Sequence, residues 1–282
     1  MAPESSIDAV LPAEMARRAE YLGVRKAEMP AANMLALSIL AGAFIAIGSV
    51  FAITVAAGST PEFPYGVNRL LMGIVFSLGL ILVIVGGAEL FTGNILIVMA
   101  WASRKVSTGA LLRNWTIVYL GNLVGSVGTA VMVFLGKQYT FGGGAIGQTA
   151  LAIANNKVHL GFVQAVALGI LCNAMVCLAV WLTYSARSTM DKIAAIIFPI
   201  AGFVAAGFEH SVANMYFLPF ALFIKQFDPA FVIKTGLDLG DMTWGSFLLN
   251  NLLPVTIGNM IGGAFLVGGV YWFVFLRPAK NQ

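Results

Sequence analysis

Long apolar runs separated by short polar segments organise this chain. Charge-free runs cover positions 33–57, 115–136, 162–184 and 246–276. Two more runs are interrupted by few ionisable residues: 69–101 has Glu89 in its interior, and 192–225 has Glu209 and His210. Each run is long enough to cross a hydrocarbon layer of about 30 Å as a helix. No segment shows the alternation of apolar and polar positions that membrane β-strands require. The pattern predicts an all-α membrane protein with six transmembrane helices.

The two interrupted runs are too long for one straight span. About 30 helical residues would extend about 45 Å, well beyond the apolar layer. Their centres read Gly86-Gly87-Ala88-Glu89-Leu90-Phe91-Thr92-Gly93-Asn94 and Gly207-Phe208-Glu209-His210-Ser211-Val212-Ala213-Asn214. Spans 2 and 5 are therefore expected to be broken helices whose irregular backbone is sheltered by protein.

Both breaks carry Gly-x-Glu-x4-Asn, as Gly87, Glu89, Asn94 and Gly207, Glu209, Asn214. The following spans share a frame as well: Asn114, Gly121, Asn122, Gly125 and Asn251, Gly258, Asn259, Gly262. Two matches in the same order indicate an internal duplication of three spans. An odd number of spans per unit forces the units to enter the membrane from opposite faces, so the repeats are inverted. The expected limits are 31–136 and 160–277 within a channel domain at 31–277. Gly121 and Gly125 also fit a close-packing face between helices.

Residues 1–30 are polar and lack the apolar core of a secretory signal. Leu11, Met15, Arg18 and Leu22 recur at helical spacing, which predicts a cytoplasmic amphipathic helix on the membrane surface. Residues 278–282 are read as a short cytoplasmic tail. On this topology 11 of the 16 basic residues fall on the side of the termini, which places both termini in the cytoplasm.

Composition narrows the class. Hydrophobic residues make up 59% of the 282 positions and charged residues 10%, with a mean hydropathy of +0.89. A water-solvated surface is incompatible with so few charges. The net charge of +4 is not gathered into basic runs, so no nucleic-acid partner is expected. Cys172 and Cys177 have no metal-ligand spacing, and no cofactor or metal is expected.

Ionisable groups at mid-depth are Glu89, Glu209 and His210. An intramembrane charge is costly and faces a cavity or a partner. The two glutamates occupy equivalent positions, which suits a shared structural role in which each accepts hydrogen bonds from backbone donors freed at its own break. His210 has the apolar Leu90 as its equivalent, so symmetry does not require an imidazole there. Histidine exchanges protons near neutral pH. Thr92, Asn94, Asn173 and Asn214 add neutral donors and acceptors suited to a passing anion. Lys157 precedes span 4, where either anion attraction or simple solvation accounts for it. Phe76, Leu80, Leu90, Phe91 and Phe203 are candidates for narrow apolar constrictions.

The segments Glu89-Leu90-Phe91-Thr92-Gly93-Asn94, Gly207–Met215, Pro254–Asn259, Asn173–Trp181 and Ser185–Lys192 together resemble the formate/nitrite transporter family. The similarity runs from about Leu11 to Arg277. It implies an aquaporin-like protomer within a homopentamer in a bacterial inner membrane, in contact with lipid, with one pore per protomer. It also implies that Thr92 and His210 face each other, and that Phe76, Leu80, Leu90, Phe91, Val176 and Phe203 line two constrictions. Lys157, Asn173, Glu209 and Asn214 form the polar set around them by the same resemblance. The expected substrate is a small monovalent anion, formate first, with nitrite or hydrosulfide as alternatives, and a proton from the histidine accompanies it. The similarity to formate channels includes Leu11–Ala16 and Asn156–His159, whereas Glu89 and Gly93 look more like the nitrite branch. A water channel of the aquaporin type would carry Asn-Pro-Ala breaks, and none occurs. No nucleophile–base pair points to an enzyme.

Overall fold

The computed structural model describes residues 9–59 and 63–277. The first eight residues and the 278–282 tail lie outside them. The described chain runs α1 (Pro12–Ala27), α2 (Ala31–Ala56), α3 (Tyr65–Gly86), α4 (Phe91–Ala102), α5 (Thr108–Leu135) and α6 (Ala145–Val158). It continues with α7 (Phe162–Thr183), α8 (Thr189–Ala206), α9 (Ser211–Phe227), α10 (Pro229–Thr235) and α11 (Trp244–Phe275). Six of these, α2, α3, α5, α7, α8 and α11, are long and apolar enough to span a membrane. Large apolar side chains also face outward, among them Phe198 at 82% exposure and Val163 at 79%. A helix apolar on all sides needs lipid or protein around it.

Spans 2 and 5 break as expected, and in the same way. Helix α3 ends at Gly87 (φ +75°) and α8 at Gly207 (φ +77°), both left-handed. Ala88 N–H then donates to Val83 carbonyl oxygen at 2.9 Å, and Phe208 N–H to Phe203 at 3.0 Å. These are paired Schellman closures, which satisfy carbonyls at a helix end and favour glycine at the cap. Beyond them the chain is extended before α4 and α9 begin. Glu89 N–H reaches Leu37 carbonyl oxygen at 3.2 Å, and Glu209 N–H reaches Leu168 at 3.3 Å. Short half-helices α4 and α9 then run on from the middle of the protein.

Glycines bring the spans of each half together. A Cβ on Gly125 of α5 would lie 1.9 Å from Ile39 carbonyl oxygen on α2. On Gly262 of α11 it would lie 2.1 Å from Ile170 carbonyl oxygen on α7. The backbones touch there in both halves, a close approach that small residues permit.

The duplicated unit begins earlier than the charge pattern indicates. Helix α6 stands before α7 as α1 stands before α2, so each half contains a leading helix outside the 31–136 and 160–277 limits. Helix α1 packs on the protein through one face. Its buried face is Met15, Ala16, Ala19, Glu20, Gly23 and Ala27, while Leu11 is 69% exposed. A Cβ on Gly23 would meet Ala100 Cβ at 3.1 Å. Small residues seat α1 directly on α4. Span 3 is longer too: α5 starts at Thr108, with the Ser107 hydroxyl accepting from Ala110 N–H at 3.1 Å. Arg113 sits inside its first turns and donates to Met29 carbonyl oxygen at 3.2 Å.

Candidate functional site

Two polar frames, one per half, surround the helix breaks. In the first, Lys26 Nζ on α1 donates to Glu89 Oε1 at 2.6 Å. Asn94 Nδ2 donates to Glu89 Oε2 at 2.7 Å and to Asn114 Oδ1 at 3.0 Å. Asn114 Nδ2 returns to Lys26 carbonyl oxygen at 3.0 Å. The second frame repeats each bond. Lys157 Nζ on α6 donates to Glu209 Oε1 at 2.7 Å, and Asn214 Nδ2 to Glu209 Oε2 at 2.7 Å. Asn214 Nδ2 also donates to Asn251 Oδ1 at 2.7 Å, and Asn251 Nδ2 to Lys157 carbonyl oxygen at 3.0 Å. A lysine, a glutamate and two asparagines thus tie four elements together in each half.

The half-helices start on side-chain acceptors from the last span of each half. Phe91 N–H donates to Asn122 Oδ1 at 2.8 Å, and Ser211 N–H to Asn259 Oδ1 at 2.9 Å. Asn122 Nδ2 donates to Glu89 carbonyl oxygen and Asn259 Nδ2 to Glu209 carbonyl oxygen, both at 2.9 Å. Orphan donors at a helix start are costly to bury, and these asparagines satisfy them.

This arrangement revises two expectations. The carboxylates of Glu89 and Glu209 are held by lysine and asparagine side chains, not by backbone donors at the breaks. Lys157 is neither a solvated loop residue nor an unpaired attractor: it lies in the last turn of α6, its side chain is 15% exposed, and it is paired with Glu209. The mid-depth charges therefore include two lysines as well as two glutamates.

At the centre the symmetry fails. Thr92 Oγ1 and His210 Nε2 are 3.0 Å apart, both buried. The other ring nitrogen, Nδ1, accepts from Ala213 N–H at 3.0 Å and so caps α9. An acceptor at Nδ1 assigns the proton of the neutral ring to Nε2, which then donates to Thr92 Oγ1. The Thr92 hydroxyl hydrogen remains free for another acceptor. Nδ1 takes up a proton only by giving up the bond from Ala213.

Cavities approach this pair from two sides. One, of about 260 Å³, is lined by Arg18, Lys26, Leu80, Glu89, Leu90 and Lys192, among others. The other, of about 60 Å³, is lined by Phe76, Phe203, His210, Asn214, Lys157 and Arg69, among others. Phe76 and Leu80 are one turn apart on α3, so a thin layer separates the two cavities. The rings of Phe76 and Phe203 meet edge-on with centroids 5.8 Å apart, and Phe203 stacks on His210 at 5.9 Å. Phe91 and Val176 line neither cavity; the Phe91 ring packs edge-on against Tyr119 at 4.8 Å. Asn173 Nδ2 braces the centre by donating to Thr92 carbonyl oxygen at 3.2 Å and to Asn259 carbonyl oxygen at 2.7 Å.

Sequence reasoning missed Lys26, which counted only as a topological charge, and left Asn114, Asn122, Asn251 and Asn259 as markers of a repeat. The match shows once the helix starts are known. Lys26 and Lys157 both stand five positions before the next long helix, at Ala31 and Phe162. That spacing extends the repeat to the leading helices. Among the described residues no cluster of three or more His, Cys, Asp or Glu could hold a metal ion.

An anion entering either cavity meets charged side chains first and a neutral centre afterwards. There, an imidazole N–H and a hydroxyl stand beside aromatic walls, with no fixed unpaired charge at the Thr92–His210 contact. Such a site offers hydrogen bonds to a small oxyanion without holding it tightly.

Comparisons with known proteins agree on one lineage. The family profile described as formate/nitrite transporter matches residues 13–273. The formate channel FocA of Escherichia coli strain K12 is 47% identical over 286 residues, covering 100% of both chains. The formate channel FocA of Haemophilus influenzae is 40% identical, covering 92% of this chain and 93% of its own. A solved structure of a pentameric formate channel with formate bound superposes with a TM-score of 0.82 at 47% identity, covering 88% of this chain and 98% of that one.

Proposed function

Because this chain belongs to the formate/nitrite transporter family, we propose that it is a homopentameric formate channel of the bacterial inner membrane. Both termini face the cytoplasm on this reading, which the excess of basic residues on their side supports. The single observation that carries the proposal is the Thr92–His210 hydrogen bond between two cavities that end on opposite sides of it.

Formate enters from either cavity and exchanges hydration for the Thr92 hydroxyl and the His210 Nε2–H. Moving a bare anion into a low-dielectric layer costs on the order of 20 kcal/mol in the idealised Born limit. A proton taken up by the imidazole and lent to the carboxylate removes most of that barrier, because formic acid is neutral. Protonation also releases the Ala213 N–H bond, so proton uptake loosens the start of α9. Phe76, Phe203, Leu80 and Leu90 keep the passage narrow, with Phe91 and Val176 packed behind them. Asn173, Asn214, Glu209 and Lys157 fix the geometry of the centre rather than contact the ion in turn.

Competitive uptake of labelled formate into proteoliposomes tests the reading. Saturable formate uptake, reduced more by excess unlabelled formate than by nitrite or hydrosulfide, is the expected result. Preferential uptake of nitrite or hydrosulfide would move the assignment to another substrate of the same family.

A further inference from the structure

The mouth on the His210 side has a second cation besides Lys157. Arg69 lies on the first turns of α3 and is half-buried. Its Nη2 donates to the carbonyl oxygen of Val204, and its Nε to that of Ala205 at 3.4 Å. Those carbonyls close α8 just before its Gly207 break, where a helix end carries partial negative charge. Arg69 also lines both the cavity holding His210, Phe76 and Phe203 and a second pocket lined by Glu209, Phe208 and Asn156, among others.

The balance of charge at this mouth singles out the arginine. Lys157 is already paired with Glu209 at 2.7 Å. Among the described residues no carboxylate pairs with Arg69, and Nη1 has no hydrogen-bond acceptor. The carbonyls of Val204 and Ala205 fix the guanidinium in place without cancelling its charge. A related device stands at the other mouth, where Arg18 Nη1 donates to Tyr184 carbonyl oxygen at 3.1 Å, at the end of α7. Arg18 lines the larger cavity, together with Lys192 and the Lys26–Glu89 pair. Arg69 on α3 and Arg18 on α1 both belong to the first half and stand at non-equivalent positions, so the duplication does not account for their similar use.

We propose that Arg69 is the anion-collecting residue of the His210-side mouth, concentrating small monovalent anions in front of the Phe76–Phe203 constriction. The inference rests on the anion-channel reading above and adds a residue and a side to it. A charged, narrow mouth raises the local concentration of oppositely charged solute by about tenfold or more. Screening removes the effect at high salt, where the Debye length falls to about 3 Å at 1 M. A residue that merely caps α8 would show neither salt dependence nor sidedness.

The test is initial flux in oriented proteoliposomes, with formate and nitrite as parallel probes, for wild type, Arg69→Gln, Arg69→Lys and Arg18→Gln. Arg69→Gln is expected to lower flux about tenfold at low anion concentration and low salt, only for anion supplied on the His210 side. The loss should disappear at saturating anion or in about 1 M inert salt. Arg69→Lys should stay near wild type, and Arg18→Gln should act from the opposite side. Wild-type flux of nitrite without formate would overturn the formate assignment while the nitrite arm still reads Arg69. Equal flux of Arg69→Gln and wild type overturns the Arg69 proposal. So does a loss that persists in high salt or appears from both sides, or a loss shared by a folded Arg69→Lys.

Discussion

Thr92 and His210 hydrogen-bond to each other at 3.0 Å, yet the positions that repeat them, Val212 and Leu90, are both apolar. Around this pair the frame contacts are duplicated between the halves: lysine to glutamate, asparagine to glutamate, asparagine to the half-helix start. The duplicated contacts hold the two breaks open. The Thr92–His210 contact is a place where the two halves have diverged, and it lies in the layer between the cavities.

Thr92→Val makes the first half match the second at this position and removes the acceptor for His210 Nε2–H. A buried donor left without a partner costs about 1–3 kcal/mol. The variant should melt at a lower temperature in detergent and take up formate several-fold more slowly. Differential scanning fluorimetry and vesicle uptake check the two effects separately.

Lys26 shows how far a sequence reading reaches here. The six spans, both breaks and the inverted duplication were legible, because charge-free run lengths and the Gly-x-Glu-x4-Asn spacing report them directly. Lys26 was not, because it lies in a polar segment and its partner Glu89 is beyond two intervening helices. The seat of α1 was missed for a related reason: Ala16, Ala19 and Gly23 form a stripe of small residues, which hydropathy alone does not distinguish from a weak amphipathic face. His210 stood out by its lack of a symmetric partner. Its pairing with Thr92 came only from family resemblance, since nothing in the spacing brings α4 to α9.

Removing one partner of the Lys26–Glu89 pair leaves a carboxylate that is 5% exposed without its cation. Uncompensated buried charge costs about 3–5 kcal/mol. Lys26→Met should therefore destabilise the protein strongly and release α1 from α4, seen as faster proteolysis within residues 9–30. Adding Glu89→Gln to the same chain should restore much of the loss, because the pair is removed as a unit.

Gly207 holds a left-handed conformation at φ +77°, and alanine there meets the steric penalty of that region, about 1 kcal/mol. Gly262→Ala should be worse, since its new Cβ would meet Ile170 carbonyl oxygen at 2.1 Å with backbone on both sides. Overpacking of that kind costs about 1–3 kcal/mol. Thermal melting of the two variants side by side gives the order.

Outside the spans, Tyr139 O–H donates to Asp228 Oδ2 at 2.8 Å, and Phe231 N–H donates to Oδ1 at 3.0 Å. These bonds, Tyr139 first, hold the Asp228 carboxyl below its ordinary value. Burial and the nearby carboxylate push the Tyr139 phenol up to about 12. A depressed carboxyl contributes stability above its unfolded value of about 3.9, and loses it as pH falls through the folded value. Asp228→Asn keeps the cap on α10 but not the charge. Its melting temperature should lie below wild type at pH 7 and pH 5, and the gap should close below about pH 4.

The most direct test of the central claim is the pH profile of formate flux from about pH 5 to 8 in proteoliposomes, the range in which histidine exchanges protons, measured for wild type and His210→Asn. Asparagine can still accept from Ala213 N–H, so α9 keeps its start while the titrating group is lost. Wild-type flux that varies with pH, beside a folded His210→Asn channel whose flux is lower and no longer follows the wild-type profile, is the predicted result. Identical profiles for the two proteins would contradict a histidine that lends its proton to the passing anion.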